Sequence, residues 1–158
     1  MTEPGPSHAA LARALVATAR SAALATFARE PAGFPYASLV AVTCDERGRP
    51  LLLLSRLAEH TQNLAARAEA SLLVAEDAPG DPLAAGRVTL IGACARVVDA
   101  ETAAARARFL AAHPSAAAYV DFADFAFHRL EPAALRYVGG FGRMSWISAE
   151  DYAAAPLA

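Results

Sequence analysis

The chain has 158 residues, of which 56% are hydrophobic and 19% charged, a balance that excludes a disordered chain and suits one domain. The formal net charge is −2 and no basic run occurs, which excludes a nucleic-acid-binding surface. The apolar runs stop short of the ~20 residues of a membrane helix, and residues 1–7 lack the pattern of a signal peptide. We therefore expect a cytoplasmic protein with a flexible tail at residues 1–8 and a single domain at residues 9–158.

The first half of the chain predicts a helix followed by strands that are joined by short turns. Apolar residues at helical spacing predict an amphipathic helix at residues 9–20. Strands are predicted at residues 21–28 and 36–43. A hairpin turn follows in which Gly48 is expected to take a positive φ angle, so the apolar run at residues 51–54 is expected to pair back.

The second half alternates helices with strands. In chain order the predicted elements are a short helix at residues 60–68, a strand at 71–75, a long strand at 87–98, a helix at 101–112, a short helix at 115–119, and strands at 125–130 and 134–138. Asp99 is the expected N-cap of the longer helix, and Gly92 is expected to allow a bend or a close backbone approach within its strand. A Gly-rich turn and a polar tail are expected to close the chain.

The predicted strands follow one another in hairpin order, with helices inserted between them. This arrangement predicts an α+β fold that is mainly β: a six- to seven-stranded antiparallel barrel with peripheral helices. A doubly wound parallel sheet does not fit, because the first strands are joined by short turns rather than by crossover helices.

One segment combines an apolar strand with a cluster of side chains that suit an anion. Ser55, Arg56, His60, Thr61 and Asn63 fall within nine positions, at the expected start of a short helix. Backbone N–H groups at a helix start, flanked by hydroxyl groups and a guanidinium, predict a phosphate site. The alternative is that the same residues only cap the helix.

Other polar residues have both a functional and an ordinary interpretation. Asp124 and His128 would face the same side of a strand and form a proton relay, or each would bond to an ordinary neighbour. Cys44 and Cys94 lie in apolar runs without metal-ligand spacing, which indicates buried free thiols. The four histidines are scattered along the chain, so no metal site is expected.

Several segments together resemble the FMN-binding split-barrel superfamily, the pyridoxamine 5′-phosphate oxidase-like proteins, and in particular its haem-utilisation branch. The segments that carry the resemblance are PYASLVAVTCDERGRPLLLLS, HTQNL, ASLLV, RVTLIG and DFAFHRLEPAALRYVGGFGR. They cover nearly the whole chain. The fold that the resemblance implies is a split barrel, and the assembly is a homodimer with two FMN sites at the subunit interface.

The resemblance also implies where FMN would bind. The phosphate would be held by the strand-to-helix segment, the ring would lie along the strand at 38–40, and the C-terminal segment would come from the partner subunit. The matching positions here are Ser38, Leu39, Val40, Ser55, His60, Thr61, Asn63, Arg87, Arg143 and Trp146.

This chain departs from the family at three points. The oxidases carry a basic pair where this chain has His60 and Thr61, so the phosphate would depend on Arg56, hydroxyl groups and backbone amides instead. The oxidases' basic motif for the substrate phosphate is missing, so pyridoxamine phosphate is not the expected substrate. Haem-degrading members ligate iron through a C-terminal histidine, whereas this chain has no histidine after His128.

The leading hypothesis is an FMN-binding flavoprotein, an oxidoreductase that acts on a small substrate of unknown identity. The first alternative is a haem-binding or haem-degrading protein of the same fold, and the second is a flavin-binding module without catalytic activity. The haem alternative requires an iron ligand, for which the candidates are His8, His60, His113, His128, the two cysteines and a tyrosine such as Tyr119.

Overall fold

The computed structural model of the chain describes residues 5–157, which form eight strands, four α-helices and one 3₁₀ helix. In chain order these are α1 (His8–Thr18), β1 (Ser21–Phe27), β2 (Pro35–Ala41), β3 (Thr43–Cys44), β4 (Pro50–Ser55), α2 (Glu59–Ala66), β5 (Glu69–Ala75), β6 (Arg87–Arg96), α3 (Asp99–Ala112), the 3₁₀ helix (Pro114–Ala118), β7 (Phe125–Val138), β8 (Met144–Ser148) and α4 (Ala149–Ala154). None of the described helices combines the length and the apolar character that a membrane crossing requires.

The strands form one antiparallel sheet in the order β2-β1-β5-β6-β7-β4-β3, and β8 also pairs with β7. One edge of β7 pairs with β4 through its first half and with β8 through its second half. The two outer strands, β2 and β3, are separated in the chain by Val42 alone, so the sheet curls until its ends meet. Among the described strands β2 pairs only with β1, which leaves the barrel open between β2 and β4. This architecture confirms the predicted antiparallel split barrel, with more strands than the six or seven expected.

The apolar core has two parts, and β4 separates them. Leu52 and Leu54 point into the barrel with residues of every long strand and of α1. Leu51 and Leu53 point outwards and are covered by α3 and the 3₁₀ helix, for example by Phe109. Because both faces of β4 are buried, its sequence is a continuous run of leucines rather than an alternating pattern.

The two strands predicted at residues 125–130 and 134–138 form one continuous strand, β7, so that prediction was wrong. Proline lacks an N–H group and usually interrupts a strand, yet β7 runs through Pro132 without a break. Opposite Pro132 the register with β6 shifts between Ile91 and Gly92. A Cβ atom on Gly92 would lie only 2.0 Å from the Glu131 carbonyl oxygen, so glycine is required for this close approach.

Both ends of the chain contain secondary structure where the sequence predicts a tail. Of the predicted tail at residues 1–8, residues 1–4 lie outside the described part, and His8 already begins α1, with the Ser7 hydroxyl accepting the Ala10 N–H at 3.2 Å. At the other end the predicted polar tail forms β8 and α4. Asp99 is the first residue of α3 rather than its cap, which is Val98.

Candidate functional site

A cleft lies at the split between β2 and β4, and we call it the β2 cleft. Its volume is about 370 Å³. The residues that line it are Leu39, Val40, Ala41, Leu53, Leu54, Ser55, Ala58, His60, Tyr119 and Phe125. The rings of Tyr119 and Phe125 pack against each other with centroids 5.1 Å apart. The cleft is therefore an apolar and partly aromatic slot with a few polar groups at one end.

His60 is the histidine that lines the β2 cleft. Its Nδ1 lies 3.1 Å from the Ser38 hydroxyl oxygen, which fixes the orientation of the ring. Burial lowers the pKa of His60 below its ordinary value, so the imidazole is neutral at physiological pH. Its Nε2 has no hydrogen-bond partner among residues 5–157. A neutral, oriented imidazole in such a slot is suited to metal ligation or to accepting a proton.

Ser55 stands beside His60, but its hydroxyl already has two internal partners. It donates to a carboxylate oxygen of Asp124 at 2.6 Å and accepts the Leu57 N–H at 3.1 Å. A second hydrogen bond, from the Arg56 N–H to the Asp124 carbonyl oxygen at 2.7 Å, fixes the same connection. Ser55 therefore holds the end of β4 in place.

The start of α2 has the open amides that the sequence predicts for an anion site. Its N-cap, Ala58, offers no side-chain acceptor, and within the described residues the amides of Glu59 and His60 have no partner. The Glu59 carboxylate lies in this first turn, where it complements the helix dipole. An anionic ligand would thus share the helix start with a carboxylate.

A second cavity lies on the other side of the same segment, at the end of the barrel that α2 covers, and we call it the barrel-mouth cavity. Its volume is about 340 Å³. The residues that line it are Leu54, Arg56, Thr61, Leu64, Ala65, Ala68, Cys94, Ala95, Arg96, Asp124, Ala126 and His128. His60 and Thr61 reach different cavities because successive helical residues are rotated by about 100°.

Asp124 and His128 both line the barrel-mouth cavity, as expected from their spacing, but they do not bond to each other. Asp124 accepts from Ser55, and the Nδ1–H of His128 donates to the Ala126 carbonyl oxygen at 3.1 Å. The structure therefore shows the ordinary partners rather than a direct proton relay. Both cysteines are free, and burial raises the pKa of Cys94 to about 12.

Asn63 faces neither cavity, because its side chain is used by the fold. It is 0% exposed, donates to the Thr26 hydroxyl at 3.1 Å and accepts the Arg29 N–H at 3.2 Å. These bonds join α2 to the end of β1. A ligand contact of Asn63 remains a prediction that this geometry does not support.

The remaining predicted residues are absent from the lining of the β2 cleft: Arg87 and Trp146 lie on the outer face of the sheet, and Arg143 lies in a turn. Arg87 is three strands from β2, about 14 Å along the sheet, and donates to the Leu83 and Ala85 carbonyl oxygens at 3.1 and 3.4 Å. Trp146 lies on β8 with the Arg136 guanidinium 5.7 Å from its ring centroid. Arg143 is exposed in the turn before β8, which confirms that the Gly-rich segment is a strand-exit turn.

Sequence reasoning named Tyr119 only as one possible iron ligand, without placing it in a cleft, and it missed Phe125. Phe125 reaches the cleft because it pairs with Ser55 across 70 positions of sequence, counted from 55 to 125. No local pattern indicates this pairing. The aromatic residues of the segment at 119–125 were the only available signal.

An open antiparallel barrel with a ligand-sized cleft at its split defines a split-barrel protein. The chain belongs to the CREG β-barrel family, whose model matches residues 4–154. It is 43% identical over 138 residues to the chloroplastic non-canonical haem oxygenase HOZ of Arabidopsis thaliana. The matched segment covers 85% of this chain and 42% of that protein. It is 41% identical to a haem-binding protein of Mycobacterium smegmatis, with a TM-score of 0.89 over 96% of this chain and 62% of the other.

A third comparison concerns the fold alone. A Clostridium acetobutylicum protein of the pyridoxinephosphate oxidase family is 12% identical, with a TM-score of 0.66 over 87% of this chain and 92% of the other. The resemblance inferred from the sequence is therefore confirmed for the split barrel. The relatives above 40% identity are described as haem proteins, which supports the haem-utilisation branch, and FMN has no comparable support. The chain spans less than two thirds of both haem relatives.

Proposed function

We propose that this chain binds haem in the β2 cleft, with His60 as the iron ligand. The observation that carries the proposal is the neutral imidazole of His60, held by Ser38 within an apolar and aromatic slot. The haem relatives support the same ligand class. Haem replaces FMN here as the proposed cofactor, and FMN becomes a competing outcome of the test.

The residues of the β2 cleft fit haem in three respects. A ligating histidine commonly has its second ring nitrogen engaged by a neighbour, as Ser38 engages His60. Leu39 and Phe125 offer apolar surface to a planar macrocycle, and the open amides of α2 suit a carboxylate. The phenol of Tyr119 lines the same cleft as an alternative ligand.

The other histidines are placed less well. His113 Nε2 bonds to the Val42 carbonyl oxygen at 2.9 Å, and His8 Nδ1 lies 2.8 Å from the Ser145 hydroxyl, so both are engaged outside the cleft. His128 lines the barrel-mouth cavity instead. Bound haem would supply the iron that binds and activates oxygen. His60 would fix the iron's position, and the apolar walls would exclude water from one side.

We also propose that the chain forms a two-fold dimer through the outer face of its sheet. Strand register places Leu39, Leu73 and Trp146 in one row across this face, because paired residues share a side of the sheet. Leu39 is 79% exposed and Trp146 61%. Ile91 and Met144 extend the apolar surface on either side of the row. Exposed apolar side chains grouped on one face mark an interaction surface, and a second copy would cover them.

The dimer would also complete the cleft. Leu39 belongs both to the outer face and to the β2 cleft. A copy seated on this face would therefore bring its own surface to the cleft edge. Arg87, Arg143 and Trp146, which are remote from the cleft in one chain, would become candidates for contacts from the partner.

The test is an absorbance titration of the purified chain with haemin and, separately, with FMN, followed by desalting. We expect a retained Soret band, no retained flavin, and at least a tenfold weaker haemin affinity in His60→Ala, since the iron would lose its protein ligand. His113→Gln serves as the control and should bind as the wild type does. Retention of FMN alone, or an unchanged Soret band in His60→Ala, would contradict the proposal.

Haem degradation is the second candidate, and the 43% identity with the plant oxygenase favours it. Loss of the Soret band with release of chelatable iron is expected when ascorbate and oxygen are added to the haem complex. A band that persists under these conditions would indicate binding without turnover.

A further inference from the structure

The barrel-mouth cavity carries positive charge that the fold does not neutralise. Two guanidinium groups, those of Arg56 and Arg96, line it against the single carboxylate of Asp124. Both arginines are exposed, and within residues 5–157 neither side chain forms an ion pair or a hydrogen bond. The Asp124 carboxylate accepts a hydrogen bond from the Ser55 hydroxyl and forms no ion pair with either arginine within residues 5–157. The arginines are therefore free to receive an anion.

Two buried polar side chains of the same cavity have unused bonding capacity. Thr61 is 9% exposed, and its hydroxyl has no hydrogen-bond partner in the described part of the chain. His128 is 7% exposed, and only its Nδ1 is engaged, by the Ala126 carbonyl oxygen. A buried hydroxyl without a partner costs free energy. The Thr61 oxygen is enclosed, and rotation about the Cα–Cβ bond would turn it towards the cavity, where a ligand would satisfy it.

The environment of His128 is consistent with a positive potential in the cavity. Burial is the main cause that lowers the pKa of this histidine. The hydrogen bond to the Ala126 carbonyl oxygen opposes this effect, and the positive charge of Arg96 adds to it. At neutral pH the ring is therefore uncharged. Its Nε2 adds an acceptor, or a donor on protonation, beside the arginines.

The rest of the wall is apolar. Leu54 and Leu64 face the cavity together with Cys94 and four alanines. A volume of about 340 Å³ lies within the range of small-ligand pockets. An inorganic anion would leave most of this surface without a partner.

We propose that the barrel-mouth cavity binds a small monocarboxylate with an apolar body. Arg56 and Arg96 hold the carboxylate, for which guanidinium groups are suited in geometry and charge. The Thr61 hydroxyl donates to the same carboxylate after rotation about its Cα–Cβ bond. Leu54 and Leu64 contact the apolar body. This site is distinct from the β2 cleft, so its existence does not depend on haem binding.

The test is a titration of the ¹⁵N-labelled full chain with sodium benzoate at constant ionic strength, followed by NMR. We expect saturable amide shifts centred on Thr61, Ala95 and Arg96. Benzyl alcohol, which has the same apolar body without the charge, should bind much more weakly. Shifts centred instead on Ser38 and Leu39, shifts that do not saturate, or equal binding of the alcohol would each overturn the proposal.

Three variants separate this site from general charge effects. Arg96→Gln should weaken benzoate binding about tenfold, as loss of a charge-assisted hydrogen bond does. Arg47→Gln removes the same charge from the distant turn before β4 and should change the affinity less than about twofold. Thr61→Val, which keeps the shape of the side chain, should weaken binding about fivefold without lowering the melting temperature. Equal effects of Arg96→Gln and Arg47→Gln, or unchanged binding in Thr61→Val, would overturn the assignment.

Discussion

Asn63 shows how a residue that suits a ligand site can be used entirely by the fold. Its amide joins the Thr26 hydroxyl and the Arg29 N–H, and no part of it is exposed. We expect Asn63→Ala to lower the free energy of unfolding by about 2 kcal/mol, because the buried Thr26 hydroxyl and the part-buried Arg29 N–H lose their partner. Urea unfolding followed by circular dichroism measures this change.

The contribution of one bond is isolated by a double-mutant cycle with Thr26→Val. The two substitutions together should cost about 1 kcal/mol less than the sum of their separate effects. Full additivity would show that the Asn63–Thr26 hydrogen bond contributes nothing to stability. The cycle would then leave the Arg29 contact as the main role of Asn63.

His128 predicts how stability changes with pH. Burial lowers its pKa in the folded state below the ordinary value of about 6.5 that it regains on unfolding. The unfolded chain therefore binds more protons in acid, so stability is full above pH 6.5 and falls as the pH drops below it. Arg56, Arg96 and Asp124 share its cavity.

The measurement is the urea midpoint of the wild type and of His128→Asn between pH 5 and pH 8. Asparagine keeps an N–H donor for the Ala126 carbonyl oxygen but does not titrate in this range. We expect the variant to lose less stability on acidification than the wild type. Parallel pH profiles would assign the acid sensitivity to other groups, with His60 the first to examine.

Residue types in the sequence indicated the region of the site but not which residues share a cavity. Ser55 and His60 line the β2 cleft, whereas Arg56 and Thr61 line the barrel-mouth cavity. A change of one position reverses the direction of a side chain on a strand and rotates it by about 100° on a helix. Sequence proximity therefore could not show that one motif serves two cavities.

At the scale of single elements, the hairpin before β4 depends on a glycine that the sequence correctly predicts to have a positive φ angle. Gly48 has φ 78°, and its carbonyl oxygen accepts the buried Tyr152 hydroxyl at 2.7 Å. A Cβ atom there would lie 2.8 Å from both Tyr152 Oη and Arg13 Nη1. Gly33 has a similar φ of 87° but nothing within 4 Å of such a Cβ.

We therefore expect the two alanine substitutions to differ. Gly33→Ala should cost about 1 kcal/mol, which is the backbone penalty alone. Gly48→Ala should cost about 2 kcal/mol more, because Arg13 and Tyr152 must also move. Thermal or urea unfolding measures both. Equal costs would mean that the contact of Tyr152 and Arg13 with the turn adapts freely.

Strands with a regular apolar pattern were easier to predict than those with an unusual partner. The leucine run of β4 and the alternation of β1 were sufficient signals. The continuity of β7 through Pro132 was not predictable, because it depends on Gly92 in another strand. β8 was missed because Met144 and Trp146 are exposed and the segment shows no buried strand pattern. It is a strand through its pairing with β7.

At the scale of the whole molecule, the dimer proposed through the outer face of the sheet predicts the mass of the protein in solution. Sedimentation equilibrium should give twice the chain mass of 16.4 kDa. Ile91→Glu, which buries a charge in the proposed interface, should give a monomer. Phe122→Glu is the control, since Phe122 is also exposed but packs against Phe125 beside the 3₁₀ helix. A wild-type monomer, or a dimer that survives Ile91→Glu, would contradict this interface.

The end of β4 is a wall between two compartments. Leu54 lines both cavities, and the hydrogen bond from Ser55 to Asp124 connects a residue of one to a residue of the other. If both are filled as proposed, any displacement of this wall by one ligand changes the affinity for the other. Thermodynamic linkage requires the effect to be equal in both directions. The concentration of a small acid would then set how tightly haem is held, and haem would set the retention of the acid by the same factor.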